Sequence, residues 1–126
     1  MEEAKTILLV DDDVTLREMY EERLKVEGFI ITQAANGEDA IKLAKENKPQ
    51  IILLDIMMPK VNGFDVLKDL KADPATKDIP VIVLSALIQD VDRVEGKKLG
   101  AVDYIVKSET MPGEVIEKIK KAIGKK

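Results

Sequence analysis

Four carboxylates stand out because each follows an apolar run: Asp11-Asp12-Asp13 after Ile7-Leu8-Leu9-Val10, and Asp55 after Ile51-Ile52-Leu53-Leu54. Brought together, such acids repel and raise one another's pKa. A hard divalent cation relieves the repulsion, and ligation by one or two carboxylates plus waters suits Mg2+. Two more apolar runs end in complementary groups, Ser85 after Val83-Leu84 and Lys107 after Ile105-Val106. A metal, a hydroxyl and an ammonium around a carboxylate describe an oxyanion site. Mg2+ and Lys107 would neutralise phosphoryl oxygens, Ser85 would donate a hydrogen bond, and Asp55 would be the nucleophile that forms an acyl phosphate. Each residue alone also has a plain role, since an Asp after a strand is commonly a cap or turn residue. Asp13 is assigned that role, as the cap of the helix containing Leu16.

What is missing narrows the chemistry further. The 126 residues contain no Cys and no His, which excludes disulfides, thiol catalysis, cysteine metal sites and histidine acid–base chemistry. The chain therefore cannot itself be the phosphohistidine partner in a relay. A net charge of −4 argues against direct nucleic-acid binding, which needs clustered cations. The basic run Lys118, Lys120, Lys121, Lys125 and Lys126 reads as the solvated end of a last helix. The start is acidic and hydrophilic, unlike a secretory signal. No apolar run approaches the ~18 residues of a membrane span, so no membrane insertion and a cytoplasmic location are expected.

The elements that must position these groups alternate from end to end. Thr6–Val10, Ile30–Ala35, Ile51–Leu54, Val81–Leu84 and Asp103–Val106 are short, apolar and bounded by turn residues. The first, third and fourth are nearly continuous hydrophobic runs, as in parallel strands covered on both faces. The second, with Thr32 and Gln33, alternates as an edge strand does. Helical spacing fills the gaps: Leu16, Tyr20 and Leu24, ended by Gly28; Ala40, Leu43 and Ala44, ended before Pro49; Phe64, Leu67 and Leu70; Val91, Val94 and Lys98; and Val115, Ile119 and Ile123, with Gly124 as a stop. Five βα units predict one α/β domain over residues 1–126. Its fold would be a doubly wound five-stranded parallel sheet, flavodoxin-like order 2-1-3-4-5, with helices on both faces. That order puts the carboxyl ends of the first and third strands at the topological switch point, where ligands bind.

Over essentially its whole length the sequence resembles the receiver domains of bacterial response regulators, single-domain chemotaxis regulators among them. The resemblance rests on Ile7–Asp13, on Leu54-Asp55-Ile56-Met57-Met58-Pro59 with Gly63, on Leu84-Ser85-Ala86, and on Asp103–Lys107. It implies Asp55 as the phosphorylated residue, Asp12 as a direct metal ligand, Asp11 as a ligand through water, and the Met57 carbonyl as a further ligand of Mg2+. Ser85 and Lys107 would contact the phosphoryl group, and Tyr104 would be an aromatic switch whose ring turns inward when Ser85 is drawn to it. The donor implied is a sensor histidine kinase or phosphotransfer protein, and catalysis is confined to the chain's own phosphorylation and dephosphorylation. Output to an unknown target would pass through the fourth helix, fifth strand and fifth helix, from a monomer or a phosphorylation-dependent dimer.

Three departures are visible. Receivers usually carry a proline, often cis, after the lysine, whereas Ser108 follows Lys107 here. A non-proline cis bond costs about 2.5–4 kcal/mol, so a trans bond or a rearranged loop is expected. Gly96 costs about 0.8–1 kcal/mol in a helix and sits in the apolar-poor Arg93–Lys98 segment, which predicts a locally loose fourth helix. Met57 and Leu87 cannot orient an attacking water, so a long-lived phosphoryl group is expected. The rival enzyme reading is a haloacid-dehalogenase-type phosphatase, because Asp11-Asp12-Asp13-Val14-Thr15 fits DxDxT with Asp11 as nucleophile. Against it, Asp103 is the only late acid available and starts a strand rather than ending one. The same residues would also suit a non-phosphorylated adaptor receiver, or a piece of a larger regulator with a DNA-binding output.

Overall fold

The computed structural model describes residues 5–58, 61–85, 89–107 and 112–124. Five strands form one parallel sheet: β1 (Lys5–Val10), β2 (Phe29–Ala34), β3 (Ile51–Asp55), β4 (Val81–Ser85) and β5 (Asp103–Val106). Their order is β2-β1-β3-β4-β5, the doubly wound flavodoxin-like order expected from the alternation. Helices α1 (Val14–Val26), α2 (Gly37–Asn47), α3 (Gly63–Ala72) and α4 (Asp90–Lys98) fill the crossovers, and α5 (Pro112–Gly124) follows the last strand. Among the described residues no helix is long and apolar enough to cross a membrane.

The sheet has two faces because side chains alternate along each strand. Ile7, Leu9, Ile51, Leu53, Ile82, Leu84 and Ile105 pack against Tyr20 and Leu24 of α1 and Val115, Ile116 and Ile119 of α5. Leu8, Val10, Ile52, Leu54, Val81 and Val83 pack on the other face, against Ala40 and Ala44 of α2 and Val66, Leu67 and Leu70 of α3. Both faces of the central strands are therefore covered by apolar side chains, which explains the unbroken hydrophobic runs. Each fully buried Leu or Ile contributes about 1.5–3 kcal/mol. β2 lies at one edge of the sheet, as its Thr32 and Gln33 suggested.

The helix starts follow from short polar side chains. Asp13 accepts from the Leu16 N–H at 3.2 Å and caps α1, as expected. Asn36 caps α2 through the Asp39 N–H at 2.8 Å, and Asn62 caps α3 through the Phe64 N–H at 2.8 Å. At the far end of α1, Gly28 takes φ +94°, the left-handed conformation that favours glycine and turns the chain into β2.

One element went unread in the sequence. Met57–Met58 and Val61–Asn62 form a two-residue antiparallel ribbon, Met57 opposite Asn62. It folds the segment after β3 back so tightly that the Gly63 N–H donates to the Ile56 carbonyl at 3.2 Å. A Cβ on Gly63 would lie 2.2 Å from Ile56 Cα and 2.6 Å from the Asp55 carbonyl oxygen. Both are backbone atoms, so no side chain can yield. Gly63→Ala is therefore expected to destabilise the fold by about 1–3 kcal/mol, measured as a fall in the urea midpoint at constant slope.

Candidate functional site

Because β1 and β3 are adjacent and in register, with Val10 opposite Leu54, the residues at their carboxyl ends meet. Carboxylate oxygens of Asp11, Asp12 and Asp55 all lie within 4.8 Å of one another. Asp11 and Asp55 are buried and Asp12 is exposed. Three converging carboxylates, one open to solvent, fit an oxygen-ligated divalent cation that keeps some of its waters.

Asp55 is the last residue of β3. Its Oδ1 accepts from the Met57 N–H at 2.9 Å, and its Oδ2 lies 3.3 Å from Lys107 Nζ. Burial pushes its pKa up and the Met57 N–H opposes this. Asp11 adds to the rise and Lys107 counters it, with a raised value as the net result. Asp11 is held differently. Its N–H donates to the Ala34 carbonyl at 3.1 Å, its Oδ1 accepts from the Asp13 N–H at 2.9 Å, and its carbonyl accepts from Arg17 Nη1 at 2.6 Å. Its Oδ2 takes no hydrogen bond of good geometry but forms an ion pair with Lys107 Nζ at 2.6 Å. Asp11 and Asp55 are thus both buried with each carboxylate oxygen in a polar contact.

Lys107 bridges the two buried acids. Its position at the end of β5 is set by its own N–H, which donates to the Ser85 carbonyl at 2.7 Å. Burial lowers its pKa, but the close ion pair with Asp11 and the charge of Asp55 outweigh that and raise it. Ser85 ends β4, fully buried and paired in register with Val106. The Lys107–Ser108 bond and Leu87 lie outside the described residues. The Met57 backbone stands beside the Asp55 carboxylate, while the residue as a whole is 61% exposed.

Tyr104 is turned toward α4. Its hydroxyl donates to the Arg93 carbonyl, and the Arg93 guanidinium lies 5.5 Å from the ring centroid. Gly96, expected to loosen α4, turns out to be buried under this ring: a Cβ there would lie 3.1 Å from Tyr104 Cε1 and 3.6 Å from Phe64 Cε1. The glycine thus has a packing reason that a helix propensity does not reveal. Arg17 was also missed, although its place six residues beyond Asp11 puts it on the turn of α1 that faces β2. Asp103 begins β5 and pairs with Lys118 at 3.1 Å, far from the acidic cleft, as the strand reading required.

A doubly wound sheet carrying an acidic cleft at its switch point, with a hydroxyl and an ammonium on the neighbouring tips, defines a class of signalling module. The chain belongs to the response regulator receiver domain family, whose pattern matches residues 7–120. It is 43% identical over 103 residues to PilH of Pseudomonas aeruginosa, covering 80% of this chain and 84% of that protein. It is 39% identical over 107 residues to ycf27 of Guillardia theta, covering 85% of this chain. The chain spans only 41% of the length of that relative. Among solved structures it resembles the chemotaxis protein CheY4 of Vibrio cholerae, with TM-score 0.89 and 26% identity, covering 95% of this chain and 99% of that one.

Two outcomes are expected. Asp55 has a folded-state pKa raised above 3.8, so its ionisation weakens the fold as pH rises from the ordinary value through the folded one. In metal-free buffer Asp55→Asn should therefore melt higher than wild type at pH 7, and the advantage should vanish below about pH 4, as followed by circular dichroism. Gly96→Ala should displace the Tyr104 ring from α4 while changing stability by less than about 1 kcal/mol, because the gain in helix propensity offsets the crowding. Shifted Tyr104 ring signals in NMR with a near-constant melting point would show it.

Proposed function

We propose that this receiver is a phosphorylation-activated switch of a two-component system that accepts a phosphoryl group on Asp55. The observation that carries the reading is the convergence of Asp11, Asp12 and Asp55 beside Lys107 at 3.3 Å from the acceptor carboxylate. Asp11, Asp12, Asp55 and the Met57 carbonyl would hold Mg2+, which when bound screens negative charge on the incoming phosphoryl oxygens.

The chain's own residues do the rest. The Met57 N–H fixes the plane of the Asp55 carboxylate. One Asp55 oxygen attacks phosphorus in line while the bond to the donor breaks, so a P–O bond forms as the donor's P–N bond is lost. Lys107, already between the two acids, needs only a small movement to meet a phosphoryl oxygen. The Ser85 hydroxyl, on the adjacent strand tip, is placed to donate to another. The product carries about −1.5 to −2 charges, enough to draw Ser85 and Lys107 together and to rebalance the Tyr104 contact with α4. The surface of α4, β5 and α5 is then the output.

In this reading the donor is a histidine kinase or phosphotransfer protein in the cytoplasm. The receiver catalyses only its own phosphorylation and hydrolysis, and it works as a monomer or a phosphorylation-dependent dimer. Exposed, apolar Met57 cannot orient water, which favours a long-lived phosphoryl group.

The test is labelling with a small phosphodonor, with and without Mg2+. Wild type is expected to be labelled only with the metal, Asp55→Asn not at all, and Asp11→Asn more slowly. Label retained in Asp55→Asn but lost in Asp11→Asn would instead identify the phosphatase chemistry.

A further inference from the structure

The three carboxylates of the cleft are not equally secured. Asp55 is held by the Met57 N–H and Lys107, and Asp11 by contacts at all four polar atoms. Among the described residues no hydrogen bond or ion pair holds the carboxylate of Asp12, which is exposed. Its direction therefore depends on the peptide plane that precedes it. That plane carries the Asp11 carbonyl, and the carbonyl is gripped by Arg17 Nη1 at 2.6 Å.

The guanidinium is in turn oriented from the sheet edge. Arg17 Nε donates to Gln33 Oε1 at 2.8 Å, and Gln33 Nε2 donates to Glu21 Oε1, whose other oxygen pairs with Lys25 at 3.2 Å. Gln33 sits on β2 opposite Leu9, so the chain of contacts runs from the edge strand through α1 to the backbone between Asp11 and Asp12. The two donors of a planar fork satisfy two acceptors in fixed relation, which a lysine cannot reproduce.

We infer that Arg17 is a positioning residue for the metal site: by clamping the Asp11 carbonyl it aims the otherwise untethered Asp12 carboxylate at the cation. The inference rests on the Mg2+ reading above and adds a residue outside the cleft to it. The sign of the effect makes it testable. Arg17 is a cation near an anionic cluster, so charge alone predicts that its removal strengthens Mg2+ binding. Positioning predicts the reverse.

The experiment is titration of the whole chain with Mg2+, followed by the amide shifts of Asp12 and Asp13, on protein shown to be folded by circular dichroism. Arg17→Met is expected to weaken Mg2+ binding about tenfold, the scale found when partners that orient metal ligands are lost. Arg17→Lys should recover part of the affinity. Gln33→Leu changes no charge and leaves the Nη1 contact available, so it should weaken binding less than Arg17→Met, and it answers the question if that variant fails to fold. Arg17→Met or Gln33→Leu binding Mg2+ as tightly as wild type, or more tightly, would overturn the clamp while leaving the metal reading intact. A wild-type chain that takes up no Mg2+ would overturn both.

Discussion

The contact on which the rest depends is the Lys107 ammonium lodged between Asp11 and Asp55. Two ionised carboxylates buried side by side are unfavourable, since desolvation and mutual repulsion both oppose the charged forms. One cation 2.6 Å from the first and 3.3 Å from the second lets both remain at the switch point of an aliphatic fold. The arrangement is under-neutralised by one charge even before the exposed Asp12 is counted. A site that is stable but still short of positive charge is suited to recruit a further cation and to respond when an anion arrives.

That constraint explains how the scaffold is divided. The two layers of aliphatic side chains supply the stability, and the carboxyl ends of β1, β3, β4 and β5 carry almost nothing but polar function. The segment after β3 shows the same division at short range. The ribbon and Gly63 bring the start of α3 back against the Asp55 backbone, where only a glycine fits.

Much of this was legible in the sequence because it follows local rules. Unbroken apolar runs mark strands covered on both faces, as in Ile51–Leu54, and Thr32 with Gln33 marks the edge. Asp13 was readable as a cap because it precedes the first helical apolar residue. The tips carrying Asp55, Ser85 and Lys107 followed once the strand order was assigned. What escaped depends on contacts between distant residues. Gly96 looks like a weak point of α4 by propensity, and only the Tyr104 ring above it gives it a purpose. Arg17 looks like an ordinary solvated helix residue until Gln33, sixteen positions away, orients it. The ribbon at Met57–Asn62 is too short to carry a periodicity.

The strand order also separates the charges along the chain. Asp11 and Asp55 belong to the first half of the chain, and pairing of β1 with β3 brings them together with no need for the second half. Lys107 follows β5, which reaches the pair only across the intervening β4. In chain order the repelling acids therefore come first and their counter-charge last. The two buried acids find their counter-charge only where β5 lies beside β4, so the functional centre depends on an outer strand of the sheet as much as on the two inner ones that carry its acids.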